Sequence, residues 1–129
     1  MSRKSTRLRR EKMNKTIKAV ILRTDGTNKI IELADTLEAL QKAVGGHIQI
    51  VHCGADGYED CLLIIDEEGK LKDLPINVEA SILFGVPSSI DYIVGTAILC
   101  GTDKLGDIGS LAREVLREYG HEMGGYKDL

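Results

Sequence analysis

The sequence predicts an α+β domain, with a mixed or mainly antiparallel sheet of about five strands and two main helices packed on one face of it. Three observations predict this class. Short runs rich in β-branched and aliphatic residues recur along the chain, from Thr16–Arg23 (TIKAVILR) to Asp91–Cys100 (DYIVGTAILC). Two stretches repeat apolar residues at helical spacing and are bounded by capping residues and glycines. The two kinds of element do not alternate strictly, which argues against a doubly wound parallel sheet.

Thr16–Arg23 reads as a mostly buried strand. Asp25-Gly26 follows, a strong short-range hairpin signal, so Asn28–Leu33 (NKIIEL) is the returning strand. Asp35 is expected to cap the first helix, with Glu38 three positions on in a capping-box arrangement. Leu37, Leu40 and Val44 give that helix, over Thr36–Val44, one apolar face before Gly45-Gly46 stops it. His47–Cys53 (HIQIVHC) sets Ile48, Ile50 and His52 against Gln49, Val51 and Cys53, as in a half-buried strand. After the loop GADGYED comes an apolar strand, Cys61–Asp66 (CLLIID), and the polar Glu67-Glu68-Gly69-Lys70 turn.

Asp73–Ser89 is expected to be a loop-rich cover, broken by Pro75, in which Asn77 caps a short helix through Leu83 and Gly85 with Pro87 closes it. Asp91–Cys100 reads as a central strand, with Gly95 marking a bulge or a close backbone approach and Gly101 its end. Leu111, Val115 and Leu116 mark an amphipathic helix over Ser110–Tyr119, with Ser110 as N-cap and Gly120 as stop. The organisation expected is therefore a basic extension over residues 1–15, one domain over 16–120, and a mobile tail over 121–129.

A chain of 129 residues is the size of one domain and holds one continuous core. No apolar run approaches the roughly 20 residues that span a bilayer, and no apolar stretch follows the N-terminal charges as in a signal peptide. A cytoplasmic protein is expected, with no membrane partner. Three cysteines without C-x-x-C spacing indicate neither a disulfide framework nor a zinc site and read as buried thiols. The absence of Trp and the presence of one Phe and four Tyr leave little aromatic surface for stacking single-stranded bases.

Charge is unevenly distributed. Residues 1–18 carry eight bases and one acid, a net of +7, whereas the rest carries nine bases and nineteen acids, a net of −10. Arg3, Lys4, Arg7, Arg9, Arg10 and Lys12 form a candidate nucleic-acid arm that would neutralise phosphates. Two other readings stand beside it: a solvated basic tail, and a misassigned start. Arg9-Arg10-Glu11-Lys12-Met13 can be encoded by purine-rich codons that look like a translated ribosome-binding site, which would make Met13 the true first residue.

The opening strand, Thr36 to Gln41 running into Val44-Gly45-Gly46, Glu67 to Leu71 with Leu74-Pro75 and Asn77, and Asp91 with Ile93, Gly95-Thr96 and Gly101 together resemble an uncharacterised domain family. That family is common in phages, plasmids and conjugative elements of Gram-positive bacteria, and the resemblance covers about residues 17–101. It implies a mobile-element accessory protein and transfers no catalytic residues. Its members usually begin almost at the first strand, so the residues before Met13 depart from the pattern.

Candidate chemistry is sparse. On one strand His47 and Cys53 share a parity while His52 faces the other way, so the three cannot meet one metal. Cys53 with His47 or His121 lacks an orienting third group. Asp66, Glu67 and Glu68 could hold Mg²⁺ or transfer protons, but a polar hairpin tip facing water is the simpler explanation and is favoured. Neither G-x-G-x-x-G nor G-x-x-x-x-G-K-[ST] occurs. Gly101–Ser110 still runs from a strand into an expected helix N-terminus, where N–H groups can hold an anion. The candidate ligand-binding residues are accordingly Thr102, Lys104, Gly109 and Ser110, with Asn77 as a neighbour.

These readings favour a non-catalytic binding module that sequesters a small nucleotide-like signal or docks on a host protein, in an anti-defence setting. A nucleic-acid-associated protein working through the basic arm is the alternative, and an enzyme without a recognisable motif the second. No catalytic residue, metal or cofactor is expected. A strand edge such as Ile17–Leu22 would also suit a homodimer.

Overall fold

The computed structural model describes residues 15–123, with side chains up to residue 120. Nearly all of the expected basic extension and most of the expected tail therefore lie outside the described residues. The elements are β1 (Thr16–Leu22), β2 (Asn28–Ala34), α1 (Leu37–Val44), β3 (Ile48–His52), β4 (Leu62–Asp66), α2 (Val78–Phe84), β5 (Ala97–Thr102), β6 (Ile108–Gly109) and α3 (Arg113–Met123). All strand pairs are antiparallel, in the order β2-β1-β5-β4-β3, and the short β6 pairs with the end of β5. The chain is thus an α+β domain on an antiparallel sheet.

The expected hairpins form. Arg23 and Thr27 close the first turn through Arg23 N–H to Thr27 O, and Gly26 adopts φ 90, which glycine tolerates without a Cβ clash. β3 and β4 pair from Ile48 opposite Asp66 to His52 opposite Leu62. β5 lies at the centre, as the sequence suggested, but begins at Ala97. Upstream, Gly95 has φ 78 and Val94 makes an isolated bridge to Ile76, so the run from Asp91 is broken where the glycine sits.

The helices do not share one face. Consecutive residues of a strand point to opposite sides. On one side Ile64, Ile98 and Cys100 meet Leu40 and Val44 of α1. On the other, Leu63 and Leu99 meet Ala80 and Leu83 of α2 and Val115, Leu116 and Tyr119 of α3. The expectation of two helices on one face is replaced by α1 on one side and α2 with α3 on the other. The physical reason is in β4 and β5: LLIID is buried throughout and AILCG likewise, so both faces need cover. Leu63, Ile64, Ile98 and Leu99 are fully buried, each a contribution of about 1.5–3 kcal/mol relative to exposure.

Several local details differ from expectation. Thr36, not Asp35, caps α1: its Oγ1 accepts the Ala39 N–H at 3.1 Å, while the Asp35 N–H still donates to Lys15 O alongside the β1–β2 ladder. Leu37 is 59% exposed, so Leu40 and Val44, with Ala43 partly buried beside them, anchor that helix. Gly45 ends it in the left-handed conformation, as predicted. α3 starts at Arg113 and runs through Gly120. Finally, β1 pairs with β2 along its whole length and with β5 over Val20–Leu22, while Ser110 and Leu111 bond to Lys18, so Ile17–Leu22 is not an outer edge; the outer strands are β2 and β3.

Candidate functional site

The residues proposed to hold an anion form a small hairpin. Thr102 ends β5, Lys104 sits exposed in the turn, and Gly109 closes β6. Asp103 Oδ1 accepts from the N–H groups of Leu105 and Asp107, both at 2.9 Å, and Gly106 N–H donates to Asp103 O. The N–H groups of Leu105, Gly106 and Asp107 are thus satisfied within the turn itself. Ser110 is not a helix cap: its Oγ accepts the Lys18 N–H at 2.9 Å, and the Leu111 N–H donates to Lys18 O. The chain after β6 therefore lies against the start of β1. Glycine is needed at 101 because a Cβ there would stand 2.3 Å from Ser110 O.

Asn77 lies elsewhere. It caps α2, with its Oδ1 accepting from the Ala80 N–H at 3.0 Å. Its amide donates to Leu22 O at 2.9 Å and Gly95 O at 2.8 Å, and it is fully buried. Leu22 stands opposite Ala97 at the start of β5, whereas Thr102 is at its end, about 16 Å further along the strand. The structure does not bring Asn77 together with Thr102, Lys104, Gly109 and Ser110. Arg3, Lys4, Arg7, Arg9, Arg10 and Lys12 lie outside the described residues.

The other titratable groups have structural surroundings. Burial pushes the Cys53 thiol up to about 12, the Cys61 thiol to about 11 and the Cys100 thiol to about 12, with neighbouring thiols or carboxylates adding to the effect. All three are protonated at neutral pH and poor nucleophiles. Asp66 is buried; its Oδ2 accepts from Lys72 Nζ at 2.7 Å and its Oδ1 from the Glu68 N–H at 2.9 Å. Burial alone would raise its pKa, but the Lys72 and Glu68 hydrogen bonds and the charges of Lys72 and His47 outweigh it and hold the carboxyl below 3.8. Among the described residues no cluster of His, Cys, Asp and Glu could hold a metal ion.

One concavity was not foreseen. Between α2, α3 and the β3–β4 loop lies an open groove of about 560 Å³, lined by Tyr58, Glu79, Ile82, Glu118 and Tyr119 among others. The Tyr58 hydroxyl donates to Glu118 Oε1 at 3.1 Å, and Asn28 Nδ2 donates to Glu79 Oε1 at 3.2 Å. Asp56 adds a third carboxylate at its rim. Beside the groove the outer side of α2 is apolar: Val78 and Ile82, one turn apart, are 64% and 65% exposed, and Ile76, Ile90 and Tyr92 of the flanking chain are exposed as well. The signal was present in VEASILF, which is apolar around the helix rather than on one side. The groove left none, because Tyr58 and Glu118 are sixty residues apart.

The fold and these surfaces describe an antiparallel α+β domain with a recessed acidic groove and an apolar helix face. The chain belongs to the family described as Domain of unknown function (DUF3846), which matches residues 17–124. The match extends beyond Gly101 and takes in α3. No curated protein and no solved structure matches the chain. Among the described residues no helix is long and apolar enough to cross a membrane.

Proposed function

We propose that this chain is a non-catalytic binding module that docks on a protein of its host through the outer face of α2. The observation that carries this reading is the exposure of Val78 and Ile82 on a helix whose Ala80 and Leu83 are already buried in the domain. Scattered exposed hydrophobics are ordinary, but five from one chain segment, Ile76 to Tyr92, suit a protein contact. The Lys70 ammonium pairs with Asp91 and lies 4.5 Å from the Tyr92 ring centre, which steadies one end of this surface.

The nucleotide-sequestering form has less support. Phosphate would be repelled by the carboxylates of the groove, and the hairpin expected to bind it is internally satisfied. The resemblance to phage, plasmid and conjugative-element proteins supports a mobile-element accessory role in the cytoplasm of the host, with anti-defence as its setting; this part is by analogy.

The test is comparative. Wild type, Val78→Asp and Ile82→Asp would be used to capture host proteins, and the captured protein purified and titrated against each. Both variants should unfold as wild type does and bind at least tenfold more weakly. Equal binding by all three would overturn the reading.

A further inference from the structure

We propose that the groove between α2 and α3 is the docking site of the chain's own N-terminal segment, residues 1–14. The groove shares Ile82 with the apolar α2 face, whereas Val78 lies outside it. Asp56, Glu79 and Glu118 supply three carboxylates, and the hydrogen bonds of Glu79 and Glu118 come from neutral donors, Asn28 and Tyr58. None of the three is paired with a cation among the described residues. A groove of this character selects a cationic group on an aliphatic stem: the ammonium or guanidinium meets a carboxylate while the stem lies on Ile82, Leu83 and the tyrosine rings.

The N-terminal segment has that chemistry. Residues 1–14 carry Arg3, Lys4, Arg7, Arg9, Arg10 and Lys12 against a single acid, Glu11, a net of +5. They are also close enough. The segment joins β1 at Thr16, close to Lys18, whose carbonyl is bonded to the Leu111 N–H, and Glu118 lies two extended and five helical steps further along, roughly 15 Å at most. Fourteen residues reach up to roughly 46 Å when extended. Exposed charge pairs of this kind are individually weak and salt-sensitive, so the docking should be reversible and weaken as ionic strength rises.

The experiment uses the full chain. A carbodiimide, which joins an ammonium directly to a carboxylate with loss of water, is applied to an equal mixture of ¹⁵N-labelled and unlabelled protein, and linked peptides are read by mass spectrometry. The expected result is linkage of Lys4 or Lys12 to Asp56, Glu79 or Glu118 within single chains, falling several-fold in 0.5 M salt. Arg7→Ser, Arg9→Ser and Arg10→Ser together, which keep both lysines, should cut the yield several-fold without altering thermal unfolding. Three results would overturn the proposal: lysine linkages only to other carboxylates, linkages mainly between labelled and unlabelled chains, or a yield unchanged by the arginine substitutions. If the linkages are absent and the chain is retained on duplex DNA through these basic residues, the segment is a nucleic-acid arm instead. Val78 does not line the groove, so Val78→Asp can abolish host-protein binding and leave the linkage pattern untouched, and the two proposals fail separately.

Discussion

The amide of Asn77 donates to the carbonyl of Leu22, 2.9 Å away, and thereby ties the start of α2 to the end of β1. The same amide reaches Gly95 O, and Asn77 Oδ1 caps the helix, so one side chain closes three backbone ends inside the protein. Removing it orphans two carbonyls and a helical N–H. With a cap worth about 1 kcal/mol and each of two buried unsatisfied carbonyls about 1–3, Asn77→Ala should cost about 3–7 kcal/mol. Asn77→Asp keeps the cap acceptor but replaces both donated bonds with a buried charge, and should fare no better. Urea midpoints decide: a loss below about 1 kcal/mol for Asn77→Ala would contradict this account.

Asn77 also shows what was legible in the sequence and what was not. Its capping role followed from its place before VEASILF and the closing Gly85, which are local signals. Its reach to Leu22, 55 residues away, has no local signal, so it was set beside a hairpin at the other end of the sheet. Strands and turns were legible because alternation, Asp25-Gly26 and the glycine stops act within a few residues. The placement of α1 opposite α2 and α3 could have been read from the unbroken apolar runs of β4 and β5, which need cover on both faces. The groove is made of residues from three separate segments, and periodicity carries nothing about it.

Two glycines separate close packing from backbone conformation. At Gly101 an added Cβ would fall 2.3 Å from Ser110 O, a backbone atom held in place by the Leu111 bond to Lys18. Gly101→Ala should therefore push β6 off β5 and cost upwards of about 2 kcal/mol. Gly57 has φ 87, and an alanine methyl there would meet nothing within 4 Å, so Gly57→Ala carries only the left-handed penalty, about 1–2 kcal/mol. Thermal unfolding of both variants measures the difference. A Gly101→Ala protein as stable as Gly57→Ala would sink the close-approach argument.

The cysteines should be silent until the chain opens. Raising a thiol from 9.0 to about 12 lowers the thiolate fraction roughly a thousandfold, and for Cys61 at about 11 roughly a hundredfold. Iodoacetamide at pH 8 should leave the native protein nearly unmodified, with Cys61 the first to react, and should label all three in denaturant. Rapid native labelling of Cys53 would instead identify an accessible nucleophile and reopen the enzymatic reading.

Asp66 couples stability to pH through Lys72. Because the folded carboxyl titrates below its ordinary value of 3.8, the native state holds the ionised form more tightly than the unfolded chain does. Its contribution is fully present above that ordinary value and is lost as the pH falls through the lower native one. Asp25 and Asp91 are also lowered, so wild type loses stability in acid for several reasons at once. Asp66→Asn isolates one of them. At neutral pH it should cost about 1.5–3 kcal/mol, the worth of a hydrogen bond to a charged group, since Lys72 loses its anionic partner. Below pH 4 the gap to wild type should narrow, because protonation removes from wild type what the substitution has already removed. Urea midpoints from pH 7 down to pH 2.5 trace both curves, and curves that stay parallel throughout would show that Asp66 is not the group responsible.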